Sequence, residues 1–110
     1  MKIETPNDGF DSKGRKRVKS TGLDITIFLN DGKSFACNSA CPHKGGPLFI
    51  GKVVSKGLMC PSHHIIFDTE NGKIVDNPIP ESMGEYRNSG DLKMYPLRME
   101  GNNFIIETED

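Results

Sequence analysis

Two short segments carry the residue types that bind soft or borderline metals. The first is Cys41-Pro42-His43, the second is Cys60-Pro61-Ser62-His63, and residues 44–59, sixteen positions, lie between them. A Cys and a His this close on one loop can both turn into one site. The Gly and Pro residues around them, among them Pro42, Gly45, Gly46, Pro47 and Pro61, suit tight loops. Two such loops facing each other supply two thiolates and two imidazoles, a set that suits zinc and equally suits an iron–sulfur cluster. Magnesium and calcium prefer oxygen ligands. The order of the residues bears on the choice. A zinc finger usually runs as a Cys pair followed by a His pair, whereas here each segment contributes one of each. That interleaving makes sense if two irons need different ligands, each loop sending its Cys to one iron and its His to the other. A structural zinc ion in an interaction module is the competing reading.

The elements that must position these loops are read from turn signals and periodicity. Asn30-Asp31-Gly32, Glu70-Asn71-Gly72 and Glu100-Gly101-Asn102-Asn103 each separate apolar, β-rich runs, as tight hairpin turns do. The expected strands cover residues 23–29, 33–37, 65–68, 73–75, 94–99 and 104–106. In the first, Leu23, Ile25, Ile27 and Leu29 alternate with Asp24, Thr26 and Phe28, which predicts a strand with one buried face. Residues 77–91 read as a long loop holding Pro78 and Pro80, with one short helical turn near 81–85. No amphipathic helix, internal repeat or low-complexity tract stands out. Short strands and turns at this spacing predict an all-β sandwich or barrel.

Composition narrows the function. The chain has 110 residues, room for one domain. A formal net charge of -1 argues against general nucleic-acid binding, which needs a strong positive field. The basic run Arg15-Lys16-Arg17, with Lys19, reads either as a solvated edge or as a docking patch for an acidic redox partner. Three Cys, an odd number, argue against a disulfide framework. Cys37 ends a strand and reads as a buried small apolar residue, with a redox role as the alternative. The five Met read as core filler. No apolar run reaches the roughly 18 residues of a membrane helix, and the first residues lack the apolar stretch of a secretory signal. The chain is therefore expected to be cytoplasmic. No Gly-rich phosphate loop marks a nucleotide site.

Cys-x-His, a gap of this length and then Cys-x-x-His resemble the signature of the Rieske [2Fe–2S] proteins, in which two His replace two Cys on one iron. The resemblance extends from Cys41-Pro42-His43-Lys44-Gly45-Gly46-Pro47-Leu48 through Phe67-Asp68 to Asn77-Pro78-Ile79-Pro80, similar to the family's proline-containing third loop. Tyr95-Pro96-Leu97 and Phe104-Ile105-Ile106 resemble its closing strands. It implies three small antiparallel sheets, with a cluster-binding subdomain at about 37–75 inserted in a base β-sandwich formed by about 1–36 and 76–110. It implies one [2Fe–2S] cluster, with Cys41 and Cys60 on the inner iron and His43 and His63 on the outer iron near the surface.

The sequence departs from the family's high-potential members. Gly46 and Ser62 stand where those members have a disulfide, and Ile65 and Phe67 stand where they have a Ser and a Tyr that donate hydrogen bonds to the cluster region. Donors to sulfur stabilise the more negative, reduced state, so the potential is expected in the lower part of the Rieske range, from roughly -150 mV upward. His64 replaces the usual Gly; it reads as an ordinary surface His or as a neighbour that titrates near neutral pH, and it carries strain if the position needs a positive φ. Lys44 reads as solvated, or as a cation that attracts an acidic partner.

The function that follows is a soluble one-electron carrier, not an enzyme by itself, passing electrons from a reductase to a terminal acceptor such as an oxygenase. The alternative is a small Rieske subunit of a multicomponent oxygenase or nitrite-reductase-like enzyme. An oxygenase needs a further mononuclear iron, typically on two His and a carboxylate. With three His in these 110 residues and two of them at the cluster, only His64 is left. The partners expected are redox proteins, with no nucleic acid and no membrane insertion.

Overall fold

The computed structural model describes residues 1–20, 22–43 and 45–108. The side chain of Tyr86 and the expectation placed on Lys44 lie outside this description. Eleven strands are seen among the described residues: β1 (Lys2–Pro6), β2 (Arg15–Ser20), β3 (Leu23–Asn30), β4 (Lys33–Asn38), β5 (Lys52–Val54), β6 (Gly57–Met59), β7 (Ile66–Phe67), β8 (Ile74–Asp76), β9 (Met94–Tyr95), β10 (Leu97–Glu100) and β11 (Asn103–Glu107). They form three antiparallel sheets, ordered β1-β11-β10, β2-β3-β4-β9 and β5-β6-β7-β8. Short 3-10 turns cover Leu48–Ile50 and Glu81–Arg87. The fold is nearly all β, as the turn spacing predicts.

The β2-β3-β4-β9 sheet is the middle layer, and β3 shows why. Ile25 and Ile27 join a core with Ile3, Ala36, Tyr95, Phe104 and Ile106, shared with the β1-β11-β10 sheet. On the opposite face Phe28 joins a second core with Cys37, Leu58 and Phe67, shared with the β5-β6-β7-β8 sheet and the cysteine loops. The one-sided strand expected from the alternation is thus corrected: Ile25 to Phe28 are all buried. The polar member of that run is satisfied, because the Thr26 and Ser39 hydroxyls hydrogen-bond at 2.7 Å. Leu29, expected inside, is exposed at the start of the hairpin. That hairpin turns through Asp31 and Gly32 at φ 50° and 79°, the left-handed pair that Asp-Gly favours.

Two further expectations change. The single strand over 94–99 is two strands in different sheets: β9 pairs with β4 and β10 with β11. Pro96 sits between them and has no N–H to continue a ladder. The methionines do not fill the core: Met1, Met83 and Met99 are exposed, and Met59 and Met94 are only half-buried. Leu, Ile and Phe occupy the two cores instead. No helix among the described residues is long and apolar enough to cross a membrane.

Candidate metal centre

Each cysteine segment folds into a loop that closes on its own Cys, and the two loops close alike. In the first, Gly45 N–H donates to Cys41 O at 3.0 Å and Cys41 N–H donates to Gly46 O at 2.8 Å. In the second, His64 N–H donates to Cys60 O at 2.9 Å and Cys60 N–H donates to Ile65 O at 2.9 Å. The residue four after each Cys is left-handed, Gly45 at φ 69° and His64 at φ 63°. His64 is therefore a non-glycine residue in a conformation that glycine adopts without cost, and its side chain lies on the exposed side. The strain anticipated for His64 is present.

Leu48, Leu58, Ile65 and Phe67 pack with Cys41 and Cys60 in one core beneath the loops. Both thiols are buried, and they hydrogen-bond to one another. The Cys60 sulfur is held below the ordinary thiol range, first by the hydrogen bond from Cys41, against burial, and then by the backbone N–H groups of Ser62 and His63 and the Ser62 hydroxyl. The Cys41 thiol is pushed up by that hydrogen bond and by burial, partly offset by the His43 N–H at 3.4 Å from its sulfur. The imidazoles also meet each other: the His43 and His63 rings stand 5.0 Å apart at 82°. Like thus meets like across the loops, thiol with thiol and imidazole with imidazole. Among the described residues, no three Cys, His, Asp or Glu side chains close on one point as a single ion would require.

The imidazoles differ in exposure. His43 is 1% exposed, while His63 is half-buried. The expectation that both outer rings reach the surface is corrected for His43, whose ring is packed edge-on against His63.

The third loop covers the centre through Ile79, buried in the same core as Cys41 and Cys60. Two side chains anchor this loop. The Asn77 side chain accepts from Ile79 N–H at 3.1 Å and donates to Arg87 O at 2.8 Å. Arg87 Nε donates to Ile79 O at 2.8 Å. The pair spans ten residues; Pro78 and Pro80 point to the loop, but nothing local points to Arg87 as its clasp.

The other singled-out residues have structural places. Cys37 is fully buried, its thiol pushed up to about 12 by burial, which matches the small-apolar reading. The basic run is largely engaged within the chain. Arg15 Nε donates to Asp11 at 2.9 Å, Lys16 Nζ to Pro6 O at 2.7 Å, and Arg17 donates twice to Asp24, at 2.8 and 2.6 Å. The Arg17 guanidinium also lies 3.9 Å from the Phe49 ring centroid, tying β2 to the segment after the first loop.

A family model described as "Rieske [2Fe-2S] domain" matches residues 4–96. The chain is 25% identical over 92 residues to the ferredoxin component of the naphthalene 1,2-dioxygenase/salicylate 5-hydroxylase systems of Ralstonia sp., covering 84% of this chain and 80% of that protein. It is 29% identical over 97 residues to cholesterol 7-desaturase of Hemicentrotus pulcherrimus, covering 86% of this chain but only 20% of the desaturase. Its fold is similar to that of the ferredoxin of carbazole 1,9a-dioxygenase from Nocardioides aromaticivorans IC177, with a TM-score of 0.74, 15% identity, and coverage of 96% of this chain and 94% of that one.

Proposed function

Because this chain belongs to the Rieske [2Fe–2S] family, we propose that it is a one-electron carrier whose cluster is held by Cys41, His43, Cys60 and His63. The observation that carries the ligand set is the pairing of like donors across the loops, thiol with thiol and imidazole with imidazole. That pairing fits a two-iron cluster with two thiolates on one iron and two imidazoles on the other. Bare backbone at Gly46 lets the first loop approach the Cys60 sulfur and Ser62 closely. When bound, the cluster accepts and returns one electron. The chain's own residues hold it in a dry pocket floored by Leu48, Leu58, Ile65 and Phe67, with Ile79 as cover, and His63, the more exposed imidazole, offers the exit. We read residues 37–75 as the cluster-binding part of a single domain and residues 1–36 and 76–110 as its base, and the chain as cytoplasmic. Likeness to the Ralstonia ferredoxin component over most of both chains supports a reductase as electron donor and an oxygenase as acceptor. The desaturase match favours a second reading, a Rieske module of a larger oxygenase. Within these 110 residues, however, His64 is the one His outside the proposed ligand set, and no second iron site can be built on it.

The test is a visible spectrum of the purified protein, oxidised and dithionite-reduced, with iron and acid-labile sulfide assayed on the same sample. Two irons, two sulfides and one electron per chain are expected. Ala variants of Cys41, His43, Cys60 or His63 should lose the cluster, while His64→Ala and Cys37→Ala keep it. A colourless zinc protein after anaerobic purification and attempted reconstitution would overturn the reading.

A further inference from the structure

Ile65 and Phe67 bring no hydroxyl to the site, yet a hydroxyl stands beside the cysteine sulfur from a different position. A Cβ built on Gly46 would meet Ser62 Oγ at 2.6 Å, Ser62 Cβ at 3.2 Å and Cys60 Sγ at 3.3 Å. The Ser62 hydroxyl and the Cys60 sulfur therefore bear on the same bare patch of the opposite loop. We propose that Ser62 tunes the cluster, donating its hydroxyl hydrogen to Cys60 Sγ and so raising the reduction potential. The inference rests on Cys60 being a ligand, as proposed above. Reduction adds one electron from an external donor, breaks no bond and leaves the cluster one charge more negative. A donor to the thiolate is then worth more in the reduced state than in the oxidised one. Gly46 is what admits it, because any side chain there would displace the hydroxyl.

The experiment is a spectroelectrochemical titration of cluster-loaded protein against one-electron dyes of known potential. In Ser62→Ala the equilibrium constant for reduction is expected to fall about five- to tenfold, because a hydrogen bond to a charged group is lost; tenfold corresponds to about 59 mV for one electron. Ser62→Thr and Ser62→Val, equal in size, repeat the comparison: Thr should keep the wild-type value and Val should fall with Ala. An unchanged potential in the loaded Ala or Val protein overturns the proposal, as does a fall in Thr equal to that in Val, which would make the effect one of packing. Failure of the ligand assignment is distinguishable, since the wild type would then lack the Rieske spectrum or Cys60→Ala would retain it.

Discussion

Gly45 and His64 occupy the same step of two loops that fold alike. Each is four residues after a cysteine, each donates its N–H to that cysteine's carbonyl, and each is left-handed, at φ 69° and 63°. One loop has the residue that suits this backbone and the other does not. A left-handed non-glycine residue costs of order 1–3 kcal/mol, and glycine returns about 0.4–1 kcal/mol of that as unfolded-state entropy. His64→Gly is therefore expected to stabilise the protein by about 1 kcal/mol, raising Tm by about 4–8 °C, whereas His64→Ala, which keeps the strain, gives no gain. Thermal melts of the three proteins decide it, and a His64→Gly protein less stable than wild type would show that the His64 side chain has a stabilising role.

Gly46 and Ser62 face each other where other family members have a disulfide. A Cβ on Gly46 would lie 3.2 Å from Ser62 Cβ, a few tenths short of the roughly 3.5–4.5 Å of a disulfide. Gly46→Cys with Ser62→Cys is expected to form the bridge with only a slight parting of the loops. Non-reducing mass spectrometry should show the loss of two hydrogens and of two free thiols, and two persistently free thiols would contradict the loop geometry. Gly46→Ala, which gains the Cβ and no bond, is expected to lower cluster retention.

Arg17 joins Asp24 to Phe49 and so braces the segment after the first loop. The Asp24 carboxyl is held at about 2, chiefly by the Arg17 hydrogen bond. A carboxylate whose pKa falls on folding stabilises the protein above its unfolded value, about 3.9, and that contribution fades as pH falls toward the folded value. With the Asp24 side chain 37% exposed, screening keeps the effect below about 1 kcal/mol. Asp24→Asn should therefore lower Tm by a few degrees, by the same amount from pH 8 to pH 5 and by less only below about pH 4. A difference that already shrinks between pH 8 and pH 5 would contradict this.

Cys37 should be chemically silent. Its thiol is fully buried and raised to about 12, so alkylating reagent should label it only after unfolding. Cys37→Ala is expected to cost roughly 1–2 kcal/mol, the price of a small cavity, with two irons per chain retained. Rapid labelling of the folded, loaded protein would mean that Cys37 is reached from solvent.

The sequence by itself determined the chemistry and much of the topology. The proposed ligands Cys41, His43, Cys60 and His63 are legible because residue type and spacing lie within a few residues of each other, and the Asp31-Gly32 turn is legible because its φ angles belong to those two residues. What it left open depended on partners far along the chain. The charged run of β2 became a strand because it pairs with β3 and Arg17 finds Asp24. β3 is buried on both faces because separate cores form on either side of it, and periodicity reports only the stronger. Arg87 clasps the third loop, and Gly46 comes to lie against Ser62 and Cys60, only after separate segments meet. Local propensity and covalent spacing are written in neighbouring residues, whereas burial, clasping and the approach of Gly46 to the second loop are decided by packing between residues the chain keeps apart.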